Sequence, residues 1–379
     1  MKIAVGLRAT LVGVAADVGP AVGSAGRRRS AGAAARSRSG PVRSGPVRSG
    51  RVWSALVGLT VFAVLSGCTA AGATAAETGS GDPPSPASDA TAATAGSVAG
   101  TKPPLIDRWV PPADLPTAGE VTVAPIPGPV SGFDAADAWI YLPPAYATVP
   151  RGELPVLILM SGQPGTPEDW FDAGSVAATM DAYAADHEGL APIVVVPDWL
   201  GTSGGNPLCV DSTAGGNDYS YLTIDVHDWI VHELGVDPDP SRWAVGGLSA
   251  GGTCALQIAV RDPAQYPTVL AFSTQDHPSL EGDEDTVDVL FDGDEGAYAA
   301  VDPMAVLATS RFPDSAGLFA AGEDDDVYGP QTRAVYDAAR AAGMDVRYTT
   351  LPGGHDFVFW SAALAWAVPW LGTRLGVSP

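Results

Sequence analysis

Basic residues are scarce in this sequence: 20 Lys and Arg face 43 Asp and Glu across 379 residues, a formal net charge of −23. Half of those bases crowd into residues 1–67 beside a single acid, Asp17, so residues 68–379 keep 10 bases against 42 acids. Such a surface repels nucleic acid and favours neutral or cationic ligands. Cysteine is equally sparse, with only Cys68, Cys209 and Cys254, and no zinc-ligand spacing is present. There is no phosphate-binding glycine loop. The acidic run from Glu281 to Glu295 lacks the spacing of a calcium-binding helix–loop–helix and reads as a solvated insertion over the active-site face. No metal or cofactor is expected. Methionine is missing between Met1 and Met160, which points to a non-Met start codon nearer Val42 or Val47.

The first long apolar run, Val52 to Leu65, is too short for a comfortable membrane span. Arg48 and Arg51 precede it and Leu65-Ser66-Gly67-Cys68 ends it. A basic flank, a short apolar core and small residues before the cut form the signal-peptide pattern, and L-S-G-C matches the bacterial lipobox. The alternatives are an uncleaved anchor or a plain secretory signal. Residues 1–68 are thus expected to be an N-terminal extension, with a tandem S-G-P-V-R from Ser39, followed by a lipoprotein signal. Residues 69–104, rich in Ala, Thr and Pro, read as a disordered tether. The expected location is the outer face of the cell membrane, held by a lipid on Cys68, or secreted if that residue is not acylated. In an oxidising compartment Cys209 and Cys254 can form a disulfide, which would add roughly 3–4 kcal/mol by closing their loop.

Residues 105–379 alternate strand and helix patterns. Strands are predicted at 120–124, 138–142, 155–159, 192–196, 243–245, 268–272, 317–320 and 346–350. Helices are predicted at 176–185, 221–233, 250–260, 304–308, 331–342 and 358–371. The alternation indicates an α/β fold, a mostly parallel, doubly wound sheet with helices on both faces. A short Pro/Gly link between the first two strands suits an antiparallel pair at the sheet edge.

Chemistry concentrates at Gly247-Leu248-Ser249-Ala250-Gly251, a G-x-S-x-G between a buried strand and a helix. There it forms a nucleophile elbow: Ser249 sits on a tight turn, and glycines stand where strand and helix nearly touch. The plain alternative is an ordinary glycine-rich strand-to-helix turn. Of the five histidines, His355 follows the last strand, at the carboxyl edge where Ser249 must emerge. His187 and His232 sit at helix ends, and His227 lies within an acidic helix. His277 follows the sixth strand and is a candidate for the substrate pocket. The loop Gly322-Glu323-Asp324-Asp325-Asp326 supplies the acid; a G-x-x-D usage selects Asp325, with Asp324 and Asp326 still open. The order Ser249, Asp325, His355 is that of α/β-hydrolases. The backbone N–H of Ala250 and that of Gln163, in the loop after the third strand, are the candidate oxyanion donors. Trp170 and Phe171 are candidate pocket walls or core residues.

V-L-I-L-M-S-G-x-x-G, Y-L-T-x-D-V, R-W-A-V-G-G-L-S-A-G-G-T-C-A-L-Q and P-G-G-H-D-F-x-x-W together resemble the esterase D-like putative esterases. These are α/β-hydrolases that include mycobacterial mycolyltransferases, feruloyl esterases and many actinobacterial exported lipoproteins. The resemblance runs from about residue 120 to 372. It implies Ser249 as nucleophile, His355 as base, and Ala250 and Gln163 as oxyanion donors. Ser161 stands where many relatives carry His, and Ala250 where Met or Tyr is usual. The acid loop departs from the mycolyltransferase arrangement. The expected protein is a monomeric serine esterase acting on an ester substrate such as an envelope lipid or a cell-wall ester. The alternatives are acyl transfer to a sugar or lipid hydroxyl, and an inactive surface-binding lipoprotein.

Overall fold

Val156–Met160 and Ile193–Val196 are aliphatic runs buried at every position, as strands covered on both faces must be. In the computed structural model, which describes residues 103–148, 154–202, 205–280 and 285–379, they stand inside one eight-stranded sheet. Its strands are β1 (Glu120–Ala124), β2 (Ala138–Leu142), β3 (Val156–Met160), β4 (Ile193–Val196), β7 (Trp243–Leu248), β8 (Thr268–Phe272), β9 (Ala316–Gly322) and β10 (Asp345–Leu351). The order is β1-β2-β4-β3-β7-β8-β9-β10. The strand β2 pairs antiparallel with β1 and β4, and every pair from β4 to β10 is parallel. A two-residue ribbon, β5 (Asp211–Ser212) with β6 (Gly216–Asn217), lies outside the sheet.

Parallel neighbours need crossovers, and here helices provide them. The helices α2 (Val176–Asp186) and α10 (Phe357–Arg374) pack on each other, while α5 (Ala250–Arg261), α8 (Pro303–Thr309) and α9 (Tyr328–Ala341) form a second group. The sheet is thus covered on both faces, an α/β-hydrolase architecture. Continuous helix also runs from α3 (Asp218–Ser220) through a π-turn at Tyr221–Val226 into α4 (His227–Glu233). Near its start Asp218 is fully buried, and no hydrogen bond of good geometry reaches either carboxylate oxygen among the described residues. Burial, reinforced by the charge of Asp211, pushes its pKa well up, with the Cys209 N–H pulling the other way.

All eight predicted strands are present. The acidic run, read from the sequence as a solvated insertion, carries helical structure. Beyond residue 284 it folds into α6 (Thr286–Phe291) and α7 (Glu295–Val301), capped by Asp285 and Asp294, and Asp302 caps α8. Those carboxylates accept orphan first-turn N–H groups, the usual role of Asp at an N-cap. One more short helix, α1 (Asp169–Asp172), follows β3. The start of the described domain is tied to its end: Leu105 N–H donates to Gly376 O at 2.8 Å and Ile106 N–H to Val377 O at 3.0 Å. The signal segment, Cys68 and the tether lie outside the described residues. Among the described residues no helix is long and apolar enough to cross a membrane.

Candidate active site

The strand β7 ends at Leu248 and α5 begins at Ala250, so Ser249 alone makes the turn, with φ 54° and ψ −127°. A residue with a Cβ rarely adopts such a φ, and the surroundings hold it there. Ser249 N–H donates to Phe272 O at 2.9 Å, and its own carbonyl accepts from Thr253 N–H at 3.0 Å. A Cβ on Gly247 would run into the Gly251 carbonyl, and one on Gly251 into the carbonyls of Met160 and Ser161. These two glycines are therefore what lets α5 sit against β7 and β3.

His355 reaches Ser249 from the loop between β10 and α10. Its Nε2 lies 2.9 Å from Ser249 Oγ, and its Nδ1 lies 2.9 Å from Asp325 Oδ2. With Asp325 ionised, the tautomer that satisfies both contacts carries its proton on Nδ1 and leaves Nε2 to accept from the hydroxyl. The ring is held by its neighbours. Tyr328 lies over it at a centroid distance of 4.3 Å, and Trp360 meets it edge-on at 4.9 Å. Directly after it, Asp356 caps α10 by accepting from Val358 and Phe359 N–H.

The acid is Asp325 by geometry. It is buried, whereas Asp324 and Asp326 are exposed. Burial works to raise its pKa, but the His355 contact and the Tyr328 N–H, which donates at 2.9 Å, outweigh it and hold the carboxyl below its ordinary value. The neighbouring Asp324 pins the acid loop to the histidine loop through its N–H, 2.9 Å from Gly353 O. The three side chains come from the carboxyl ends of β7, β9 and β10, the edge of a doubly wound sheet where ligands bind.

A cleft of about 180 Å³ opens beside Ser249, lined by Gln163, Leu248, His355, Phe357 and Trp360 among others. Ala250 begins α5, so its N–H belongs to a first turn whose donors have no partner within the helix. Gln163 stands on the cleft wall, in the loop after β3.

Two candidates are placed elsewhere. Trp170 is not a cleft wall: it is 0% exposed, its indole N–H donates to Met160 O at 3.0 Å, and it meets the cleft only through its edge contact with Phe357. His277 is half exposed, pairs with Asp276 at 2.5 Å and is not among the described residues that line the cleft. The aromatic walls are instead Phe357 and Trp360. Both lie within the P-G-G-H-D-F-x-x-W block, which by itself assigns them no role. Their i, i+3 spacing at the start of α10, directly after His355, was the available signal. The remaining histidines take structural contacts: His187 stacks on Tyr183 and His227 packs on Trp243. Cys209 and Cys254 form a disulfide, Cα–Cα 5.3 Å, that ties the segment before β5 to α5 five residues beyond Ser249.

Comparison with known proteins agrees with this geometry. Residues 135–371 match the family described as "Putative esterase". An uncharacterized protein of Corynebacterium glutamicum is 39% identical over 287 residues, covering 73% of this chain and 65% of that protein. The S-formylglutathione hydrolase of Bos taurus is 30% identical over 161 residues, 37% of this chain and 52% of that protein. The chain thus spans less than two thirds of either relative. Among solved structures, a ferulic acid esterase superposes with a TM-score of 0.59 at 22% identity, over 68% of this chain and 99% of that one. The S-formylglutathione hydrolase from Agrobacterium tumefaciens gives 0.58 at 20%, over 69% and 97%. At those identities the likeness is one of fold. The family match spans the elbow, the acid loop and the histidine loop alike, and on it the chain belongs to the "Putative esterase" family of α/β-hydrolases.

Proposed function

We propose that the chain is a serine hydrolase that cleaves carboxylic esters through an acyl-enzyme on Ser249. The observation that carries this reading is one imidazole with 2.9 Å contacts on both sides, Ser249 Oγ on Nε2 and Asp325 Oδ2 on Nδ1. In the first half-reaction Ser249 Oγ bonds to the ester carbonyl carbon while its proton passes to His355 Nε2. Asp325 stabilises the imidazolium that results, and the N–H groups of Ala250 and Gln163 hold the oxyanion. Collapse breaks the bond to the alcohol oxygen, which takes the proton from His355. Water then attacks the acyl-enzyme, with His355 again as base, and the acid leaves. The family match and the similarity to the bovine S-formylglutathione hydrolase support the reading.

Residues 1–68 are proposed to be the N-terminal extension and signal, Cys68 the lipidated residue and 69–104 the tether, so that the domain acts outside the membrane on envelope esters. The L-S-G-C sequence supports this. A peptide beginning at Cys68 without a diacylglyceryl mass would instead indicate a plain secretory signal.

The decisive experiment pairs labelling with turnover. Wild type should react with a fluorophosphonate probe at Ser249 and hydrolyse nitrophenyl esters, and Ser249→Ala should lose both. Folded wild type that neither labels nor turns over would overturn the proposal. New ester formed at the expense of free acid, on addition of an acceptor alcohol, would move the reading from hydrolysis to acyl transfer.

A further inference from the structure

A second, larger space adjoins the reaction cleft. It holds about 640 Å³ and shares Gln163, Pro164 and Gly165 with the Ser249 cleft, so the two meet at the loop that carries the candidate oxyanion donor. Its wall includes Trp139, which is half-buried on β2 and braced by Phe171 at a centroid distance of 5.4 Å. Val123 and Leu200 add apolar surface. Among the described residues, neither space is lined by a Lys or an Arg. The charged side chains on the groove wall are Asp137, Glu168 and Asp198. Asp198 is already engaged, accepting from Ala136 N–H at 2.7 Å and Gly201 N–H at 3.2 Å, while Asp137 and Glu168 are exposed.

An ester has two halves, and the reacting carbonyl must lie between Ser249 and the oxyanion donors. The small cleft walled by Leu248, Phe357 and Trp360 suits an apolar acyl group. That leaves the broad groove for the other half. We propose that this groove is the subsite for the alcohol half of the ester, packed against Trp139, and that it accepts neutral or cationic alcohols and rejects anionic ones. This deepens the hydrolase reading and rests on it. The physical grounds are simple. An anion in the groove would meet two exposed carboxylates and no counter-charge among the described residues, whereas a cation would meet both those carboxylates and the Trp139 indole. The exposed acids of the triad loop, Glu323, Asp324 and Asp326, add potential of the same sign.

The test uses the full chain and three butyrate esters of similar shape: 3,3-dimethylbutyl (neutral), choline (cationic) and 3-sulfopropyl (anionic). All three form the same butyryl-enzyme, so differences in kcat/KM report acylation, where the alcohol is still bound. The sulfopropyl ester should fall about tenfold or more below the neutral one, and the choline ester should equal or exceed it. Added salt should narrow the spread. Asp137→Asn with Glu168→Gln, two exposed changes, should bring the three values together. Trp139→Ala should raise KM for the neutral and cationic esters while leaving unchanged the deacylation rate of the shared butyryl-enzyme. An exposed acid remote from the groove, changed as Asp345→Asn, should leave the ratios alone. Equal kcat/KM for all three esters in wild type, with turnover abolished by Ser249→Ala, would overturn the groove assignment while the hydrolase reading stood. Ratios unmoved by the double variant would overturn it as well. Absence of both probe labelling and turnover in wild type would sink the hydrolase reading and this one with it.

Discussion

At the scale of single residues, two buried carboxyls carry opposite signs. Asp325 is held below its ordinary pKa of 3.8. A depressed carboxyl contributes stability that is present above its unfolded value and is lost as pH falls through the folded one. Chemical denaturation between pH 5 and pH 2 should therefore show wild type losing stability more steeply than Asp325→Asn. At neutral pH the same variant keeps the shape but favours the wrong imidazole tautomer, so kcat should drop by about 10²–10⁴. Asp218 is the reverse case, its pKa raised well above 3.8 by burial. It contributes stability below the unfolded value and loses it progressively as pH rises. Asp218→Asn should melt at a higher temperature than wild type at pH 7, and the gap should shrink toward pH 4 in a calorimetric series.

At the scale of elements, the elbow depends on how closely α5 approaches β3. Gly251→Ala would place a methyl against the Met160 and Ser161 carbonyls. Overpacking of this kind costs about 1–3 kcal/mol, and the helix shift should also displace Ser249, so urea midpoint and kcat should fall together. Asp356→Ala removes the cap of α10, a loss of about 1 kcal/mol, and should loosen the adjoining His355 as well. Elements also mark how far the sequence could be read. The central strands β3 and β4 were legible because buried parallel strands are unbroken aliphatic runs, the edge strand β1 through its alternation of polar and apolar residues, and the elbow because only its glycines permit the turn. The triad acid was legible through the G-x-x-D usage that selects Asp325, while Asp324 and Asp326, chemically identical, stayed open because loop closure decides which carboxylate turns inward. Trp170 shows the converse limit. Its place in the core is set by a partner carbonyl at Met160, ten residues back on β3, not by any local period. The helices within the acidic run were hidden because their aspartates signal charge in composition and capping only in three dimensions.

At the scale of the molecule, the Cys209–Cys254 bridge closes 45 residues of chain. Loop-closure entropy gives such a link about 3–4 kcal/mol, so replacing both cysteines with serine should lower the denaturation midpoint by that equivalent. The same bridge fastens the segment before β5 to the catalytic helix, so reduction should depress activity before global unfolding is complete. The two ends of the domain matter in another way. Leu105 and Ile106 are fastened to Gly376 and Val377, just past the carboxyl end of α10, whereas His355 stands just before its amino end. Eighteen residues of helix separate them, about 27 Å of rise. The two ends of the described domain thus meet beside the last turn of α10, while the Ser249–His355 rim stands at its first.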